Sequence, residues 1–206
     1  MKGLISEQPK RTLTAWDMLR MGVGKRFWLC TLGKMTDACE QKPKIEAWVK
    51  NVKSNLENGY GLLLMGNYNT GKTGSAVICA KATVMHGGTA YMIRGNTLNQ
   101  AIFDNTLFDQ DELITERVRS VDLLVLDDVG CGHESSWGLS VIEEVLRDRS
   151  DRMASTIITT NLDKNAMHEK FGESLLNFLS ATMVSVVCKG QNFRDNERAD
   201  VKGSIS

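Results

Sequence analysis

Short apolar runs alternate with stretches of helical spacing along most of this 206-residue chain. Gly61-Leu62-Leu63-Leu64-Met65 and Asp122 to Asp127 read as buried strands, and Thr89 to Ile93, Ser155 to Thr160 and Met183 to Cys188 read as strands. All are short, and several are β-branched. Between them lie helical patterns: Ala76 to Val84, Leu98 to Phe108, Glu112 to Arg119, Leu139 to Arg149, Ala166 to Phe171 and Leu175 to Ser180. Ahead of the first strand, Ile45, Trp48, Val49, Val52 and Leu56 follow Pro43 at amphipathic spacing, and Ala15 to Met21 forms a short helix behind a Thr14 cap. The strands are apolar on both sides, so both faces of their sheet must be covered. Strand–helix alternation then predicts an α/β fold with a parallel five-stranded sheet flanked by helices.

Composition narrows this little. A hydrophobic content of 42% supports a real core, and the length suits one domain. The five cysteines form no C-x-x-C pair, which argues against a disulfide framework or a zinc module. No apolar run is long enough for a signal peptide or a membrane span, so a cytoplasmic location is expected. The net charge is zero but uneven. Residues 1–53 carry eleven Lys or Arg against five Asp or Glu, an excess of six positive charges that the remainder balances. A basic front end suits nucleic acid or an acidic protein surface, and equally a solvated face. The expected division is a short basic arm over 1–20, a candidate partner-binding segment, and a core over 21–206.

Chemistry concentrates at three strand ends. Gly66-Asn67-Tyr68-Asn69-Thr70-Gly71-Lys72-Thr73 fits the phosphate-binding loop pattern G-x-x-x-x-G-K-[ST], between a strand and a helix. Its amides and the following helix N-terminus suit an anion. Lys72 is expected to reach the β- and γ-phosphates of ATP, and the Thr73 hydroxyl to ligate Mg²⁺. Leu123-Leu124-Val125-Leu126-Asp127-Asp128 is a hydrophobic strand ending in two acids, the Walker B pattern. Asp127 is the expected Mg²⁺ partner, and Asp128 the group that orients or deprotonates water. Thr159-Thr160-Asn161 closes the next strand, where Asn161 could hydrogen-bond the attacking water or a phosphate oxygen.

These motifs, in the order GLLLMGNYNTGKT, DLLVLDDVG, STIITTNL and KGQNFR, resemble the DnaC-type helicase loaders and their IstB-type transposition relatives. Gly22-Val23-Gly24-Lys25-Arg26-Phe27 is similar to the entry segment of those loaders. The resemblance spans about residues 21–195. It implies a P-loop AAA+ core without a separate helical lid, with Asn161 as sensor 1 and Arg194 as sensor 2. Phe27 is expected to border the adenine pocket. It further implies ATP and ADP with Mg²⁺ as ligands, a DnaB-type replicative helicase and single-stranded DNA as partners, and homo-oligomerisation on the helicase. Phe103 and Phe108 fall where the family inserts helices facing single-stranded DNA.

One departure affects turnover. The family's arginine finger has no counterpart, because Ser174 and Phe178 stand where the family has arginines. A finger contributes about 10³–10⁵ in rate, so slow hydrolysis by the isolated protein is expected. Arg147, Arg149 and Arg152 are candidates to replace it. A short front end and a missing finger fit a minimal, phage-encoded loader better than a filament-forming transposition regulator, which remains the alternative. A metabolic kinase would need an arginine-rich lid, and none is evident.

Overall fold

Successive residues of each strand point to opposite sides, and this pleat divides the interior in two. The computed structural model describes residues 11–37, 39–108, 112–130 and 136–189. Its five strands are β1 (Gly61–Met65), β2 (Ala90–Arg94), β3 (Leu123–Asp127), β4 (Ser155–Thr160) and β5 (Met183–Val187). Leu62, Leu64, Leu123, Val125 and Ile157 enter one core, while Leu63, Leu124, Leu126 and Ile158 enter the other. The first core is closed by α1 (Ala15–Arg20), α2 (Lys42–Lys50), α3 (Val52–Glu57) and α4 (Lys72–Met85). The second is closed by α5 (Gly95–Phe108), α6 (Glu112–Ser120), α7 (Ser136–Asp151) and α8 (Lys164–Thr182).

All strand pairs are parallel, in the order β2-β3-β4-β1-β5. The chain leaves β1, an interior strand, through α4, crosses to the far edge at β2, and works back through β3 and β4. The loop after β1 therefore stands beside the end of β4, at a reversal of strand order. Such a point is where open parallel sheets offer a crevice.

Several elements differ in detail from the sequence pattern. The helical spacing over 43–56 is two helices, α2 and α3, broken at Asn51, whose side-chain amide donates to Ala47 O at 2.9 Å. That local bond competes with continued helix. The two helices expected over 166–180 are present and meet at Gly172, where φ is 73° and the backbone is non-helical; the pair is labelled α8. Two 3-10 turns, Lys25–Phe27 and Leu32–Lys34, carry no strong periodicity yet build one wall of the site. Trp48 is a core residue.

α1 has a complete capping box. Thr14 Oγ1 accepts from the Asp17 amide, while the Thr14 amide donates to Asp17 Oδ2 at 2.8 Å. Arg11 adds an ion pair at 2.5 Å. The Thr14 backbone and side-chain hydrogen bonds, then Arg11, hold the Asp17 carboxyl below its usual range. Met18 of this helix packs into the first core, while Trp16 and Leu19 are exposed. Residues 1–10, including Lys10, lie outside the described residues.

Arg149 has no exposure at all. It donates to the carbonyls of Val118, Val121 and Ser155 at 2.8, 3.0 and 2.7 Å and to Thr156 Oγ1 at 3.0 Å. Burial pulls its guanidinium down to about 10. It pins the starts of β3 and β4, the sheet end opposite the phosphate loop. This removes Arg149 from the candidates for a finger, because none of these bonds is available to a neighbouring molecule.

Candidate nucleotide-binding site

The phosphate loop is shaped by glycine where no other residue fits. Gly71 caps α4 in the left-handed region, with φ at 85°. Gly66, at φ 145°, lies so close to the Cys188 carbonyl that a Cβ would collide with it. Within the loop, Thr70 Oγ1 donates to Asn67 O at 2.9 Å, and Lys72 Nζ donates to the Gly66 and Asn67 carbonyls at 2.7 and 2.6 Å. Lys72 is nearly fully buried at 5% exposure, so its ammonium is held under the loop rather than extended into solvent.

The acids arrive from β3. Asp127 Oδ1 accepts from Thr73 Oγ1 at 2.9 Å and from Thr159 Oγ1 at 2.7 Å. Thr159 Oγ1 also accepts from the Asp128 amide at 2.9 Å. β4 lies between β1 and β3, and this one hydroxyl links both acids to the strand end between them. Burial raises the Asp127 carboxyl; the Thr159 hydrogen bond partly offsets this. Asp128 sits at φ 55°, a left-handed conformation that Asp tolerates better than most residues. Asn161 Nδ2 reaches Asp128 Oδ1 at a long 3.4 Å. Within the Thr159-Thr160-Asn161 strand end it is thus Thr159 that joins the two acids, a link that follows from strand order alone.

A cavity of about 620 Å³ opens above this group. Its polar floor includes Lys72, Thr73, Asp128 and Asn161, and its apolar side includes Phe27, Met35 and Ile78. The wall over residues 23–30 is tied to α4 by Lys81, whose Nζ donates to the Trp28 and Cys30 carbonyls at 2.6 and 2.8 Å. Trp28 Nε1 donates in turn to Val23 O at 2.9 Å. Arg26 lies over the Phe27 ring at 4.4 Å. Tyr68, Asn69, Thr70 and Gly71 also line the cavity. The structure thus brings Phe27, the phosphate loop, Asp128 and Asn161 to one space, with Asp127 directly beneath. Arg194 lies outside the described residues.

The donor set fits the ligands the loop implies. A deep loop with a buried lysine suits a polyphosphate, and an apolar side suits a base. A hydroxyl beside a carboxylate suits Mg²⁺, a hard cation that takes one or two protein oxygens and fills its shell with water and phosphate. Sheet order, loop and paired acids define a P-loop ATP-binding domain of the AAA+ type.

Residues 43–198 match the family described as IstB-like ATP binding protein, and the chain belongs to that family. Among its relatives is the replicative helicase loader DnaC of Buchnera aphidicola subsp. Schizaphis graminum, 25% identical over 140 residues, which is 66% of this chain and 57% of that protein. DnaC of Escherichia coli K12 is 23% identical over 165 residues, covering 77% of this chain and 66% of that one. The chain thus matches between half and two-thirds of these relatives' length. A crystal structure of the DnaC helicase loader superposes with a TM-score of 0.71 at 26% identity, over 81% of this chain and all of that one. The AMPPCP-bound DnaA of Aquifex aeolicus, at 18% identity and a TM-score of 0.64, shares the fold.

Proposed function

We propose that the protein is an ATP-switched loader that delivers a DnaB-type replicative helicase to single-stranded DNA. The observation that carries this is the joining of the phosphate loop, Thr73, Asp127 and Asp128 by a few hydrogen bonds beneath one cavity, in a chain related to helicase loaders. Thr73 and Asp127 would hold Mg²⁺, directly or through water, and the metal would neutralise phosphate charge. Lys72 and the loop amides bind the polyphosphate, and Phe27 borders the base. Asp128 accepts a proton from the attacking water, which Asn161 orients, giving ADP and phosphate. Arg194 belongs to the γ-phosphate end on the resemblance alone.

Hydrolysis by the isolated chain is slow in this reading, because neither Ser174 nor Phe178 can neutralise charge on a neighbour's γ-phosphoryl group. ATP acts mainly as a ligand that favours one assembly state. The helicase contact is assigned to the arm and α1, where Trp16 and Leu19 stand exposed at 67% and 55%, one helical turn apart.

Pull-down with a DnaB-type helicase tests the function. Capture dependent on Mg·ATP, and delivery of the helicase to single-stranded DNA, support loading. Long ATP-dependent filaments on duplex DNA without helicase capture would instead support a transposition regulator.

A further inference from the structure

Gln41 stands outside every motif, 29 residues before its partner in the phosphate loop. It is 1% exposed and precedes α2, where its carbonyl accepts from the amides of Lys44 and Ile45, each at 3.1 Å. Ile45 and Trp48 seat α2 in the first core, so the residue has a fixed base. Its Nε2 donates to the Thr70 carbonyl at 2.8 Å. Only the nitrogen side of a carboxamide can make that bond, so the flip is determined. Oε1 is then a buried acceptor, and it has no donor among the described residues.

We propose that Gln41 is the positioning residue of the phosphate loop: by holding the Thr70 carbonyl, it aims the Gly71 amide at the bound phosphates. A trans peptide unit is planar, with its carbonyl and amide on opposite edges. Pulling the Thr70 oxygen outward toward α2 turns the Gly71 N–H the other way, into the concavity of the loop. Gly71 has the left-handed φ that such an anion-binding nest requires. Thr70 Oγ1 and Lys72 Nζ hold the Gly66 and Asn67 carbonyls, at the other end of the loop. The orphan Oε1 bears on the purpose. A group kept for stability would have its second atom satisfied; leucine would remove that orphan while leaving the Thr70 carbonyl without its donor, an exchange close to neutral for stability.

The inference rests on the nucleotide-site reading, and Lys72→Ala separates the two. If wild type and Lys72→Ala bind Mg·ATP equally, the site itself is wrongly placed. If Lys72→Ala loses binding, Gln41→Leu decides the inference, measured by fluorescent-nucleotide titration and by thermal midpoint without nucleotide. The expected result is Mg·ATP affinity weaker by about 2- to 13-fold, the range one net hydrogen bond provides, with an unchanged or higher midpoint. Competition by adenosine, which has no phosphate, should be unaltered. Affinity within twofold of wild type would overturn the assignment. So would a lower midpoint with parallel losses for ATP and adenosine, which would make Gln41 a packing residue. Gln41→Glu, whose carboxylate cannot donate, should lose at least as much affinity as the leucine variant; wild-type affinity in it would also overturn the proposal.

Discussion

The Arg147 guanidinium lies over the ring of Phe178 at 4.9 Å. It also donates to Ser174 Oγ at 3.3 Å and is held by Glu143 of the same helix at 2.6 Å. Phe178 and Ser174 are the two residues that the resemblance to the loaders sets against expected arginines. An arginine from α7 thus covers this surface of α8. Arg147 remains 44% exposed in its side chain, in contrast to Arg149. Arg152 pairs with Asp148 at 2.8 Å near the end of α7.

If Arg147 serves a neighbour's nucleotide, Arg147→Ala will lower ATP turnover at least about tenfold under conditions of assembly, a small part of the 10³–10⁵ a finger can supply. Mg·ATP affinity of the dilute protein will stay unchanged. Steady-state phosphate release across a protein-concentration series reads both. Adding Phe178→Arg to Arg147→Ala should recover turnover, because the guanidinium returns to α8. Unaltered turnover in Arg147→Ala would remove the residue from catalysis.

Arg149→Ala will instead destabilise the fold by more than about 3 kcal/mol, since the carbonyls it leaves unpaired cost about 1–3 kcal/mol each. Urea unfolding measures this. A stable variant with altered turnover would contradict the structural role drawn from its burial.

Asp127→Asn should raise the thermal midpoint without nucleotide by about 2–4 °C, the shift that 1 kcal/mol gives in a chain of this size. The buried carboxylate is desolvated at neutral pH, and the amide keeps an Oδ1 acceptor for Thr73 and Thr159. The same variant should lose the Mg²⁺ dependence of ATP binding. A lower midpoint would show that the charge itself holds the sheet ends together.

Trp16→Ala or Leu19→Ser should reduce helicase capture while leaving ATP affinity unaltered. Point changes are preferable to removing residues 1–20, because Met18 of the same helix is part of the core. Asp17→Ala should have a weaker effect of the same kind, by loosening the cap at a cost of about 0.5–2 kcal/mol. With its folded pKa depressed, Asp17 stabilises α1 above the ordinary carboxylate range, and that contribution disappears as pH falls through the folded value. Full capture by both Trp16→Ala and Leu19→Ser would move the contact elsewhere on the surface.

The parts legible in the sequence were those encoded over short distances. Strand positions follow from contiguous apolar runs, and the Gly66–Thr73 loop and the Asp127–Asp128 pair each sit within a few residues. Thr159 was not legible, since its link to both acids requires knowing that β4 separates β1 from β3. Gln41 and Lys81 act across 29 and 51–53 residues, respectively, with no local pattern to mark them. Arg149 ran against the usual exposure of arginine, because a ring of carbonyls at the sheet's far end satisfies it. Gly172 was legible as the gap between two helical patterns, and its positive φ is what separates the two helices there.

The Lys81 clamp has a consequence for signalling. It rivets the cavity wall over residues 23–30 to the very helix that begins at the phosphate loop. The chamber is therefore prefabricated at that end, with its ordering entropy already settled during folding. ATP and ADP share a base and sugar, so with the base against that wall, as proposed, the wall is deaf to the difference between them. A message about nucleotide state would then start at the other end of the cavity, where Lys72, Asp128 and Asn161 are proposed to meet the γ-phosphate.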